Sequence, residues 1–253
     1  MASDKSFIPG IYNYCDRWCE RCAFTARCRT YERASRYEQG DSEVLSDALQ
    51  GVHAELEEAM ALLDAMLQEH EVTITEADLE AAAAAQEEQQ QKSREHPLVQ
   101  LGSAYTEAAG RWLQKPDLTQ PFSARLQQQA ELGLVSEAQI NTAIRQLQEQ
   151  FDVISYYRIF VPPKIYRAVS GLLAATDEER SDPQSDYRGS AKIAVLGIRN
   201  SMAALQQLLP LLPEEEEALI GLLARLQQLE RLLLETIPDC MQFKRPGFDE
   251  EPA

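Results

Sequence analysis

The chain has 253 residues, 44 % of them apolar, and a formal net charge of −17. That length and apolar content support a buried core, and 11 Gly with 12 Pro exclude a fibrous or disordered class. The negative balance excludes non-specific binding to nucleic acid or to anionic membrane, since both need a basic face that releases counterions.

Residues 1–11 read as an arm, with a turn at Pro9-Gly10. The start lacks the basic and apolar regions of a secretory leader, and no apolar run approaches the roughly 18 residues of a membrane span. A cytoplasmic protein is the expectation.

Helical character is predicted from about Tyr12 to Arg36. This stretch holds Cys15, Cys19, Cys22 and Cys28, four of the five cysteines, spaced C-x3-C-x2-C-x5-C. In a reducing compartment such a cluster points to metal or redox chemistry rather than to disulfides. On a helix, Cys15, Cys19 and Cys22 fall within an arc of roughly 60° at 100° per residue. Cys28 would follow a bend near Thr25. Four soft thiolates suit a [4Fe–4S] cluster or zinc. The compressed run is nearer to local cluster motifs than to paired zinc knuckles, and thiols without metal are the remaining alternative. Six arginines (17, 21, 27, 29, 33 and 36) against Asp16, Glu20 and Glu32 make the stretch locally positive. They are expected to lower the thiol pKa and to offset the charge of a tetrathiolate site. They could also meet an acidic protein partner.

Gly40 marks a stop, with Asp41 or Ser42 as the next cap. Over 43–70, Leu45, Leu49, Val52, Leu56, Met60, Leu63 and Leu67 trace one apolar helix face. Thr75 caps an Ala-, Glu- and Gln-rich stretch over 76–92, read as an exposed helix or a partly ordered linker. Pro97 starts the helix that carries Leu101, Tyr105 and Trp112. A short helix over 122–133 ends at Gly133. A long one opens at Ser136, and Pro162-Pro163 is expected to break or kink it, because an interior proline costs about 3 kcal/mol. Residues 176–186 read as a surface loop, followed by a helix over 190–209. Pro213 precedes the last helix, Glu214 to about Ile237, whose first-turn glutamates suit the helix dipole.

No stretch shows period-two alternation or a fixed repeat. The predicted fold is all-α: seven to nine helices in a bundle-like domain over 41–237, a cysteine- and arginine-rich metal-binding segment over 1–40, and an irregular tail over 238–253. The absence of strands excludes a radical-SAM barrel despite the C-x3-C-x2-C run. No Glu-x-x-His precedes His53, His70 or His96, which excludes a di-metal carboxylate bundle. Cys240 reads as a buried free thiol. Arg188, Gly189, Ser190 and Lys192 fall near a helix start, where an anion site competes with a cap followed by a seam of small residues, Ser190, Ala194, Gly197 and Ser201. Tyr156-Tyr157-Arg158 and Tyr166-Arg167 read as a core edge or a cavity wall. No catalytic nucleophile, acid or base can be named.

The runs IYNYCDRWCERCAFTARC (11–28) and DYRGSAKIAVLGIRNS (186–201) resemble a family of bacterial proteins. The resemblance implies a bacterial, cytoplasmic origin and brings no activity, substrate or site residue to this chain.

Overall fold

A computed structural model describes residues 7–40, 43–69 and 73–249. Among these residues the protein is all-α, with nine α-helices and no strand. It divides into two compact units. The first comprises the chain up to Glu88 together with the segment from Arg245 onwards, and the second runs from Gln89 to Lys244. The dividing point lies inside helix α3 (Glu76–Glu95).

The second unit is built on α4 (Pro97–Leu113), α6 (Glu137–Ala174), α8 (Asp186–Leu208) and α9 (Glu216–Thr236). The principal packing is α6 on α8, with α4 against α6 and α9, and α9 against α8. Leu98, Tyr105 and Ala109 of α4, Ile154, Val161 and Ile165 of α6, Ala194, Ile198 and Leu205 of α8, and Leu219, Leu226 and Leu233 of α9 are all fully buried. Each set recurs at four- and seven-residue steps, so each helix gives one stripe to a common core. Burying a leucine or isoleucine contributes about 1.5–3 kcal/mol apiece.

Small residues set the closest approach. Ser190, Ala194, Gly197 and Ser201 form a buried seam on α8. A Cβ on Gly197 would lie 2.8 Å from Val161 Cγ2 and 3.0 Å from Tyr157 Cδ1. α6 and α8 can cross this closely only because that side chain is absent.

The expected break at Pro162-Pro163 does not occur: α6 is one 38-residue helix that carries both prolines. Pro162 has no N–H to give the Arg158 carbonyl four residues earlier. The Thr106 hydroxyl, from α4, donates to that carbonyl at 2.7 Å. A neighbouring helix thus supplies a donor that the proline withholds. α6 opens on a capping box, with Ser136 accepting from the Gln139 N–H and Gln139 reaching back to the Ser136 N–H.

The expected loop over 176–186 contains a short helix, α7 (Asp177–Ser181). Thr176 and Glu179 form a second capping box there, which stabilises one turn even in a polar stretch. α8 begins at Asp186, four residues before the expected start. α5 (Gln120–Glu131) ends before Gly133, whose φ of 68° is the left-handed value glycine accepts without strain. α9 is preceded by a 3-10 turn, Pro213–Glu215. One of its glutamates has a role beyond the dipole: Glu215 is buried and accepts from Trp112 Nε1 at 3.2 Å and from Lys115 Nζ.

In the first unit α1 (Arg29–Glu38) packs against α2 (Glu43–Glu69). α2 is the helix predicted over 43–70, but Leu49, Val52, Leu56, Met60 and Leu63 of its apolar face are exposed. The proposed caps Asp41 and Ser42 lie outside the described residues. α3 is also exposed along the first unit. Thr75 and Asp78 cap its start, the Asp78 N–H donating to Thr75 Oγ1 at 3.3 Å and the Thr75 N–H to Asp78 Oδ2 at 2.9 Å.

Candidate metal centre

The cysteine stretch is not the single helix predicted from Tyr12. It is a chain of tight turns, with 3-10 segments at Ile11–Asn13, Cys19–Arg21 and Thr25–Arg27, and α1 begins only at Arg29. Two positions explain the difference. Gly10 at φ 71° turns the chain in, and Arg17 sits at φ 60°, a left-handed conformation that interrupts any helix between Cys15 and Cys19. The one-face arrangement of Cys15, Cys19 and Cys22 is therefore replaced by a folded loop.

That loop nevertheless gathers the cysteines. Cys15, Cys19, Cys22 and Cys28 line one cavity together with Ile11, Trp18 and Phe248. All four are part-exposed free thiols. The ends of the loop are tied by the Ile8 N–H, which donates to the Arg27 carbonyl at 3.1 Å. The second and third 3-10 turns each set a cysteine at their end: the Cys22 N–H bonds to the Cys19 carbonyl at 3.1 Å and the Cys28 N–H to the Thr25 carbonyl at 3.3 Å.

The sulfurs also meet backbone donors. The Phe24 N–H donates to Cys22 Sγ at 3.4 Å, and a backbone hydrogen bond from Arg17 favours the Cys15 thiolate. Such N–H···S bonds stabilise developing negative charge on sulfur. The Cys15 thiol in turn lies 3.7 Å from the Tyr12 carbonyl, to which it can donate. Among the described residues no group of three or more His, Cys, Asp or Glu side chains is already arranged to hold a metal ion. The donor set is nonetheless of one soft kind and converges from a single loop.

The expected pKa effect of the arginines is not what the geometry gives. The Cys15 and Cys19 thiols are raised, first by burial and then by neighbouring charges, the other cysteines among them. The Arg21 guanidinium stacks on the Trp18 ring at 3.8 Å. Desolvation and like charge thus outweigh the arginines.

The wall opposite the loop comes from the far end of the chain, which the cysteine spacing could not reveal. Phe248 meets Phe24 edge-on at 4.9 Å. Gly247, at φ 76°, brings the backbone so near that a Cβ would lie 2.8 Å from Ile8 Cδ1. Arg245 clamps Asp249 at 2.8–3.2 Å and lies over the Phe248 ring. The available signal was Pro246-Gly247-Phe248, a turn followed by an aromatic in a stretch otherwise expected to be irregular. Just before it, Pro238–Gln242 forms a 3-10 turn of the second unit, with Cys240 buried.

None of the other candidates lines this cavity. His53 is exposed beside Glu57, Nε2 to Oε1 3.4 Å. His96 caps α4, its Nδ1 accepting from the Leu98 N–H at 3.2 Å, and burial holds its pKa below the usual value. His70 lies outside the described residues. Near the start of α8 the cations serve structure: Arg188 donates to the carbonyls of Asp182 and Arg180 at 2.7 and 2.8 Å, and Lys192 to that of Phe243 at 2.6 Å. Arg167 grips Asp186 in a bidentate pair at 2.6 and 2.9 Å. Tyr157 accepts from Asn200 Nδ2 at 2.9 Å, which makes the tyrosine-rich segment a core edge.

No protein-family model, curated protein or solved structure matches this chain.

Proposed function

We propose that this is a metal-binding helical protein whose centre is held by Cys15, Cys19, Cys22 and Cys28, with a [4Fe–4S] cluster as the resident group and zinc as the alternative. The observation that carries the reading is the convergence of four free thiols on one cavity with apolar walls. Packing alone does not call for it, because four part-exposed thiols bury little apolar surface.

The role that fits best is structural, coupled to redox sensing or electron transfer in a reducing, cytoplasmic setting. Within 7–28 only Ile8 and Ile11 are buried hydrophobic residues, too few to order that loop, so binding free energy would serve as folding free energy. The experiment is anaerobic purification followed by metal analysis and ultraviolet–visible spectroscopy. Broad absorption with stoichiometric iron and sulfide identifies the cluster, and a colourless protein with one zinc identifies the alternative. A metal-free protein with four titratable thiols in this loop refutes both.

A second reading, an interaction module with at most a structural zinc, is favoured by α1. Arg29, Arg33 and Arg36 are exposed at i, i+4 and i+7, an array suited to an acidic protein partner. Among the described residues no helix is long and apolar enough to cross a membrane.

A further inference from the structure

α2 combines two properties that a solitary surface helix does not need. Its apolar stripe is uncovered: Leu49, Val52, Leu56, Met60, Leu63 and Met66 are each between 50 % and 63 % exposed. At 100° per residue they span an arc of about 120°, which is the width of a helix-packing face. The charge around the stripe has one sign. α2 contains seven acids and no Lys or Arg. Glu57 and Asp64 flank one side of the stripe, and Glu55 and Glu58 lie towards the other, all four exposed. The pattern extends well beyond the helix: from Tyr37 to Gln91 there are fifteen acids and not one Lys or Arg.

We propose that the exposed face of α2 is a docking surface for a basic amphipathic helix of a partner protein, one whose leucine-type stripe is bordered by Lys or Arg. The apolar stripe supplies contact area, and Met60 and Met66 adapt to the partner's side chains. The flanking carboxylates select positive borders and steer the encounter. A second copy of α2 is the disfavoured occupant, because pairing would bring the four bordering carboxylates of each helix to one seam with no Lys or Arg from either helix. The only titratable cation-former on α2 itself, His53, already sits beside Glu57.

The test uses the full chain and a 21-residue fluorescent peptide of leucine and lysine, with leucine at the a and d positions of three heptads. A twin peptide carries glutamate in place of every lysine. Fluorescence anisotropy is expected to show the lysine peptide binding at least about tenfold more tightly than the twin, with affinity falling as salt is raised. Leu56→Gln with Leu63→Gln is expected to weaken the lysine peptide at least about tenfold, the loss typical of central anchors, with unchanged helical circular dichroism. Glu57→Gln with Asp64→Asn should also weaken it and flatten the salt dependence, whereas Glu80→Gln with Glu87→Gln on α3 should leave it unchanged. Equal binding of the two peptides, no binding, or binding insensitive to the α2 variants would overturn the proposal. So would a dimer, seen by sedimentation velocity, that Leu56→Gln with Leu63→Gln disperses. Should the leucine variants lose helix, the Glu57→Gln/Asp64→Asn pair decides, since unchanged binding there refutes the docking face.

Discussion

The cysteine loop of the first unit and the α4–α6–α8–α9 core of the second reach order by different physical routes. In the core, helix stripes recur at helical spacing and bury Leu, Ile and Val side chains completely. Polar links such as Glu215 to Trp112 and Thr106 to Arg158 then satisfy what burial would leave unpaired. The loop over 7–28 has three 3-10 turns, two buried hydrophobic residues and four converging thiols. A core of that size cannot offset the entropy of ordering some twenty residues at about 1–2 kcal/mol each. Under the proposed metal centre, cross-linking through sulfur would take the place in this loop that hydrophobic area takes in the core.

The largest effect expected from this contrast is on metal removal. Chelation under reducing conditions, or Cys19→Ser with Cys22→Ser, should abolish hydrogen-exchange protection across 7–28 and leave the amides of α6 and α8 protected. Simultaneous loss in both regions would break the comparison.

The next effect belongs to the core alone. Burial pushes the Tyr105 phenol up to about 12 from 10.0, offset in part by Ser201 and Arg158. The folded state then keeps a proton that the unfolded chain releases above pH 10, so this contribution to stability is present below pH 10 and is lost as pH rises towards 12. The difference amounts to about 3 kcal/mol for two pKa units. Comparing denaturant midpoints of the wild type and Tyr105→Phe at pH 8 and pH 11 isolates it: the phenylalanine variant should show the smaller alkaline loss.

Gly197→Ala should cost about 1–3 kcal/mol in thermal or urea unfolding, because its Cβ meets two buried side chains that cannot swing away. Thr106→Val should cost about 1–2 kcal/mol by removing the donor to the carbonyl that Pro162 leaves without its usual partner. The variant Pro162→Ala on that background should recover part of the loss, since alanine restores an N–H to Arg158. The smallest effect, about 1 kcal/mol, is expected for Ser136→Ala at the capping box of α6. None of the three should alter metal content, and a change in it would show that the loop leans on the core.

The legibility of the sequence followed the range of the forces involved. The all-α class, the starts at Ser136 and Pro97, the stop at Gly133 and the seam on α8 could be read from neighbouring residues, because caps, turns and amphipathic stripes act over a few positions. The gathering of Cys15, Cys19, Cys22 and Cys28 was expected from their spacing, although by the wrong local geometry. Arg17 at φ 60° is a conformation that propensity does not announce.

By itself, then, the sequence determined helix periodicity, capping and the crowding of four thiols into fourteen residues. Only the tertiary structure decided that Pro162-Pro163 stays within one helix, that Glu215 is buried against Trp112, and that Gly247-Phe248 packs against Ile8 and Phe24. Each of these depends on a partner fifty or more residues away. No local pattern encodes such a partner, because it is chosen when the helices pack.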